Sequence, residues 1–584
     1  MNKSNLRALL TPIVLALAIV FGMMLNRFLP DRTQVSASSE MFLPVTGSKL
    51  DLIISMIQNS YVDTVDTRQI VENTIPVLLK DLDPHTVYIP AKDMQRANEG
   101  IVGNFGGVGI QFYKYLDTVT VVKVVPGGPS EKAGIKDGDR IVRVNDSLVA
   151  GVKMGQDKIQ ELMRGELGTK VELTIARRGE PKLIKKEVVR GSIPVKSVDV
   201  AYMLNDTTGY LKTNTFGMHT YAEFMQALVK LKAEGMRKII IDLRENEGGV
   251  LPIAIQMINE FLDADRLILY TQGQAQPRTD YKSNGKGQFK DLRVDVLISE
   301  FSASASEIFA GAIQDNDRGL IIGRRSFGKG LVQEQRMLPD GSALRLTVAR
   351  YYTPSGRSIQ KPYNEGKEKY YNDIYNRLVH GEFSQKDSIV FDENLKYQTV
   401  GGRTVYGGGG IMPDVFVPQD TTGVTSYLSS VINRGLTLQF TFQYTDNNRK
   451  KLSQYETEED LLNYLRHQGL VEQFIRFADS KGVKRRNILI QKSYKRLEAN
   501  IYGNIIYNML GLEAYLKYFN KSDATVQQGI ELLEKGEAFP KAPAETEEEV
   551  TKDNKDGKKK RTAQAYGITE DPTRIFDFAE ASIS

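Results

Sequence analysis

Cysteine and tryptophan are missing from the 584 residues, and histidine occurs only four times. Without cysteine there is no disulfide, no thiolate metal site, no cysteine nucleophile and no lipid-modified cysteine. The histidines, His85, His219, His380 and His467, are scattered, so the chain has no HExxH-type zinc helix. Charge of one sign is also scarce. Lysine and arginine number 77 against 72 acidic residues, a net +5 too weak over this length to imply nucleic-acid binding. What remains is ordinary. The 41% apolar and 26% charged residues describe a folded protein, and the length suits about three or four domains.

One long apolar run exists, from Ala8 to Leu25, interrupted by Thr11, Pro12 and Gly22 and preceded by Lys3 and Arg7. It approaches the length that crosses a bilayer, and the leading charges favour an N-terminus inside. Residues 1–30 are therefore expected to be a membrane anchor or a signal sequence. A small-residue site near Ala37 lies far beyond the run for signal cleavage. Either reading carries the rest of the chain out of the cytoplasm.

The organisation after that is multidomain α/β. Residues 31–47 read as a polar linker, and 48–95 as an N-terminal helical region with Leu50, Ile53, Ile54 and Ile57 on one face. Residues 96–190 form a small β-rich module. It has glycines at Gly103, Gly106, Gly107 and Gly109, short strands, and a helix bearing Ile159, Leu162 and Met163. Residues 191–424 mix strands and helices around near-continuous apolar strands at 238–243 and 294–299, which suit a sheet covered on both faces. A charged, tyrosine-rich insertion falls at about 363–395. Residues 425–544 read as a C-terminal helical domain, and 545–584 as a charged, disordered tail.

Two segments carry candidate chemistry. Ser302-Ala303-Ser304-Ala305-Ser306-Glu307 follows the apolar strand at 294–299 and begins a helix. A strand–turn–helix junction suits a nucleophile, because helix N-terminal N–H groups favour developing negative charge. The same serines also fit a simple helix cap, with Ser304 and Glu307 as a capping box. Further on, Ser326-Phe327-Gly328-Lys329-Gly330 sets a lysine between two glycines at the end of a strand. Gly323 to Lys329 imitates a phosphate-binding loop, but Gly330 stands where that loop needs Ser or Thr, and a strand follows instead of a helix. Gly107-Val108-Gly109 fails as a dinucleotide fingerprint because Phe112 replaces the third glycine.

With these segments in view, the chain resembles the carboxyl-terminal processing peptidases, or tail-specific proteases, over roughly residues 48–420. The motifs are Ser304-Ala305-Ser306-Glu307, Phe327-Gly328-Lys329-Gly330, Tyr351-Tyr352-Thr353-Pro354-Ser355-Gly356-Arg357, and Asp242-Leu243-Arg244-Glu245-Asn246-Glu247-Gly248-Gly249. Asp81-Leu82-Asp83-Pro84-His85 and Gly409-Gly410-Ile411-Met412-Pro413-Asp414 are further landmarks. The resemblance implies a protease core of ClpP/crotonase-like sheet–helix architecture and a Ser–Lys serine endopeptidase, with no metal, nucleotide or organic cofactor. By the family's spacing Ser304 is the nucleophile, Ser302 and Ser306 are structural, Lys329 is the base, and Gln333 orients the lysine. Oxyanion donors map to the N–H of Ala305 and of Gly248 or Gly249. His219 takes a structural or substrate-edge role, and His85 a packing one.

Residues 96–190 resemble a PDZ domain, in which Gly107, Val108, Gly109 and Ile110 form the loop that cradles a terminal carboxylate and the next strand pairs with the peptide. The implied partners are proteins with unstructured C-terminal tails, and the membrane through the N-terminal anchor. The implied location is the bacterial cell envelope, either inner-membrane anchored facing the periplasm or secreted into it. The C-terminal helical region stays open to a homo-oligomeric or adaptor role, and a non-catalytic PDZ scaffold is the alternative to an enzyme.

The Ser–Lys pair sets a physical requirement. A free lysine has a pKa near 10.4, so at pH 7 only about one in 2,500 is neutral and able to accept the serine proton. Closing that gap takes roughly 4.6 kcal/mol of preference for the neutral amine. Burial supplies shifts of that size, so Lys329 is expected to be buried.

Overall fold

A computed structural model describes residues 48–536 apart from Leu116. The expected anchor or signal sequence, the linker and the charged tail lie outside the described residues.

Residues up to Thr74 form one unit and Ile75 onward a second. In the first, the helix Lys49–Ser60 starts at a Ser48 cap with a reciprocal Asp51 partner. Its apolar stripe is present as expected, but no residue of this helix is buried. The second unit begins within the helix Thr67–Leu78 and departs from an all-helical reading. Val87–Ile89 is a strand, antiparallel to Ala343–Tyr352. Three residues are too few to show a period-2 pattern, so only the partner strand defines this one.

Val198–Met203, Thr208–Thr213, Lys238–Asp242, Arg293–Ile298, Gly319–Gly323 and Val415–Phe416 form a six-stranded sheet in that spatial order. The first pair is antiparallel and the others are parallel. Alternation within the strands divides the burial. Ile239, Ile241, Val294, Val296, Ile298 and Ile321 pack with Phe224, Met257, Phe309 and Ile313 from the helices Thr220–Ala233, Leu251–Asn259 and Ala305–Asp315. Ile240, Leu297, Leu320 and Ile322 face the other way, onto Val526 and Leu533 of the helix Ala524–Lys535. The sheet is therefore covered on both faces, and one cover comes from the C-terminal region.

A second sheet joins Val87–Ile89, Leu267–Gln272, Thr279–Lys282, Leu331–Met337 and Ala343–Tyr352. The two-stranded ribbon of Asn104–Gly107 and Gly191–Pro194 brackets the PDZ-like module, whose main sheet carries Ile110–Tyr115 at one edge. Ile159 and Met163 are buried there beside Val108 and Phe112, while Leu162 is partly buried against them. The C-terminal helices pack around the long helix Asn487–Leu510, with Leu497, Ile501 and Ile505 fully buried. Among the described residues no helix is long and apolar enough to cross a membrane.

Candidate active site

The strand Arg293–Ile298 ends at a turn that delivers Ser304 to the start of the helix Ala305–Asp315. Ser304 has φ +53° and ψ −113°, a conformation that ordinary residues avoid and that functional sites store. The neighbouring serines hold the turn. Ser302 Oγ donates to Leu243 O at 2.7 Å, and Ser306 Oγ donates to Asn246 O at 2.8 Å. Both are fully buried, in keeping with structural roles.

The turn is stitched to the Asp242–Gly249 loop chiefly through Asn246. Its carbonyl accepts the Ala303 N–H at 3.0 Å, its side-chain amide donates to Thr213 O at 2.8 Å, and its Oδ1 accepts the Gly248 N–H at 2.8 Å. Gly248 is irreplaceable on steric grounds. A Cβ there, at φ +102°, would sit 2.7 Å from Ala305 N and 2.8 Å from Ser304 Cβ. Because the Gly248 N–H is already engaged, the two glycines differ. The Gly249 N–H and the Ala305 N–H donate to no described residue, and Gly249 is exposed.

The lysine turn meets the serine turn through one carboxylate. Glu307 is wholly buried. Its Oε2 accepts the Ser304 N–H at 2.9 Å and the Lys329 N–H at 2.8 Å. Its Oε1 accepts the Gly328 N–H at 2.7 Å and the Ser326 hydroxyl at 2.5 Å. Burial pushes the Glu307 carboxyl up to about 7, against the lowering effect of these four donors. On the opposite side, the Tyr351 hydroxyl lies 2.6 Å from Lys329 O and 3.2 Å from Ser304 O. Phe327 N–H also donates to Ser302 O at 3.0 Å.

Lys329 is partly buried. Burial holds its ammonium below the ordinary lysine range, opposed by the negative charges of Glu247, Glu307 and Asp83 and aided by Arg345. No carboxylate among the described residues comes within ion-pair distance of it. No hydrogen bond joins Ser304 Oγ to Lys329 Nζ, a separation that is common before substrate binds.

Gln333 makes no hydrogen bond to Lys329. Its amide donates to Thr347 Oγ1 at 3.2 Å, and Thr347 Oγ1 donates to Asp83 Oδ1 at 3.0 Å. The expected orienting residue thus ties the hairpin to the Asp83–Thr86 turn. His85 sits in that turn, its Nε2 2.9 Å from Tyr370 Oη. Burial and the nearby Lys329 charge pull it down to about 3, so it stays neutral. His219 is exposed beside the Gly103 turn.

The remaining landmarks support the same turns. Arg357 pairs with Asp315 at 2.7 Å, both fully buried, anchoring the far end of the Ser304 helix. Ser326 Oγ accepts the Ile411 N–H at 2.6 Å. The presumed insertion contributes too. Arg377, on the helix Lys367–Val379, donates to Ser326 O at 3.0 Å and Arg325 O at 2.7 Å. At the PDZ-like loop, Gly109 has φ +74°, and Ile110 opens the edge strand.

A serine in a strained strand–helix turn, a half-buried lysine and two N–H groups without acceptors thus lie around the Glu307 brace. Comparison with known proteins narrows the class. Residues 207–366 match peptidase family S41 and residues 120–177 match the PDZ domain. Residues 427–511 match a family of unknown function, DUF8443. A protein of Staphylococcus epidermidis named "Probable CtpA-like serine protease" is 34% identical over 314 residues, 53% of this chain and 62% of that one. The chain thus spans less than two thirds of the length of the curated relatives it matches. A solved photosystem II D1 C-terminal processing protease is 27% identical, with coverage of 54% and 91% and a TM-score of 0.32. The solved PDZ domain of a carboxy-terminal protease from Vibrio cholerae, in complex with peptide, is 27% identical, with coverage of 15% and 97% and a TM-score of 0.15.

Proposed function

We propose that the chain is a serine endopeptidase of the bacterial cell envelope that binds unstructured C-terminal protein tails through its PDZ module and cleaves them by a Ser304–Lys329 mechanism. The observation that carries this reading is the single Glu307 oxygen that grips the backbone N–H of both Ser304 and Lys329. A surface serine and a surface lysine have no need of such a brace.

A tail adds as a strand beside Ile110–Tyr115, with its carboxylate at Gly107–Ile110. Ser304 Oγ attacks the scissile carbonyl carbon while neutral Lys329 Nζ takes the hydroxyl proton. The developing oxyanion is stabilised by the N–H groups of Ala305 and Gly249, the pair left undonated by the fold. The tetrahedral intermediate collapses, the Lys329 ammonium protonates the leaving amine, and an acyl-Ser304 remains. Water, deprotonated by neutral Lys329, then releases the acid product. The apolar run Ala8–Leu25 supports the envelope location.

The full chain is to be incubated with a denatured protein beside Ser304→Ala and Lys329→Ala. Wild type is expected to cut and both variants to lose cleavage. Equal cutting by wild type and Ser304→Ala would overturn the mechanism. A wild type that binds tails without cutting would leave a PDZ scaffold.

A further inference from the structure

The loop that carries Gly248 and Gly249 is held from a distant part of the chain. It leaves its strand at Asp242, whose carboxylate is completely buried and accepts the Tyr210 hydroxyl at 2.6 Å. Arg244 folds back onto Asp242, with Nη2 to Oδ2 at 2.7 Å and Nε to Oδ1 at 3.0 Å. That accounts for one side of the guanidinium. The other side, Nη1, points to Asp523 Oδ2 at 2.8 Å.

Asp523 is the N-cap of the helix Ala524–Lys535 and divides its two oxygens between two tasks. Oδ1 accepts the N–H groups of Thr525 and Val526, both at 2.9 Å. Oδ2 serves Arg244. The helix it caps is fixed against the sheet by Val526 and Leu533, and by Gly529, where a Cβ would meet Ile240 at 3.0 Å. Asn520, just before the cap, donates to the Tyr202 hydroxyl at 2.8 Å. Asp523 is therefore a fixed point.

From Arg244 the connection to the reacting groups is short. The Arg244 carbonyl accepts Lys212 Nζ at 3.0 Å. Glu245 follows at φ +63°, its N–H 3.3 Å from Ser299 Oγ. Then comes Asn246, which holds both the serine turn and Gly248. Two residues on from Arg244 lies the Asn246 carbonyl that accepts the Ala303 N–H and the Ser306 hydroxyl.

We propose that Asp523 is a positioning residue for the peptidase: by holding Arg244 it sets the Asp242–Gly249 loop, and so makes the C-terminal helical region a part of the catalytic apparatus. This rests on the Ser304–Lys329 reading. It assigns the last helices a role in chemistry that their sequence gives no hint of.

The test uses the full chain and a denatured protein substrate. Asp523→Asn keeps a side chain that caps helices as well as Asp does, but removes the charge from Arg244. Asp523→Ser is a second capping residue without charge and guards against a fault particular to the amide. Thermal melting is to stay near wild type for at least one of them. That variant is expected to lose kcat by about tenfold or more, since small displacements of reacting groups cost up to ~10²-fold. KM should stay within about threefold, because tail binding is not altered. A folded variant with kcat within about twofold of wild type would overturn the proposal. Absence of Ser304-dependent cleavage in the wild type would instead overturn the mechanism beneath it.

Discussion

Glu307 shows how much one residue organises. Its carboxylate faces four donors and no acceptor. Only an ionised carboxylate accepts from all of them, because a carboxyl proton or an amide NH₂ turns a donor against a donor. Glu307→Gln is thus not a conservative change here. It is expected to lower kcat/KM by about a hundredfold and to destabilise the fold by about 1–3 kcal/mol for each donor left unmet, read from kinetics and denaturant melts. The pH dependence has a fixed sign. Lys329 must be neutral and Glu307 ionised, so activity rises as pH passes upward through the depressed lysine value and through about 7. The acid limb therefore takes two deprotonations in the wild type and one in Glu307→Gln. An unchanged acid limb in that variant would refute this account. His85 is outside the window, since it titrates at about 3.

At the scale of elements, the glycine loop and the lysine turn meet at the Ser304 turn, and helices hold them. Gly249→Ala places a Cβ 2.4 Å from Phe216 O at φ +145°. It is expected to move the free N–H and cost about 10²–10³ in kcat, the usual loss for an oxyanion donor. The helix Lys367–Val379 clamps the chain leading to Lys329 through Arg377. Arg377→Met is expected to cost on the order of 2 kcal/mol in a denaturant melt. Much of this was legible in the sequence. The apolar strands and the helix after Ser304 declare themselves by local periodicity. The motifs around Ser304 and Lys329 are legible, and the structure joins the two residues through one Glu307 carboxylate. What escaped was long-range pairing. Glu307 reads as a helix cap, and nothing nearby announces that it also grips Gly328 and Lys329. Which glycine keeps a free N–H depended on the Asn246 side chain. The 363–395 segment looked like an insertion because its composition is that of a surface, yet Tyr370 and Arg377 are buried.

At the scale of the molecule, the C-terminal helices are a wall of the core. Val526 and Leu533 cover Ile240, Leu297 and Ile322. Cutting the chain before residue 425 is expected to yield insoluble protein, as the uncovered sheet face would expose a large apolar patch; a soluble, monomeric product would contradict this. The same region meets the PDZ module. Asp446, on the helix Leu436–Leu452, pairs with Arg140 at 2.9 Å, and its carbonyl accepts Arg178 Nη1 at 3.0 Å.

The order of residues along the chain gives the Arg244–Asp523 contact a meaning in time. A polypeptide is made from its N-terminus, and domains fold as they emerge. Ser304, Lys329 and the glycine loop are all synthesised well before Asp523 and the helix that seals the back of their sheet. By this arrangement the Asp242–Gly249 loop gains its Arg244–Asp523 tie only after the residues it carries have been made.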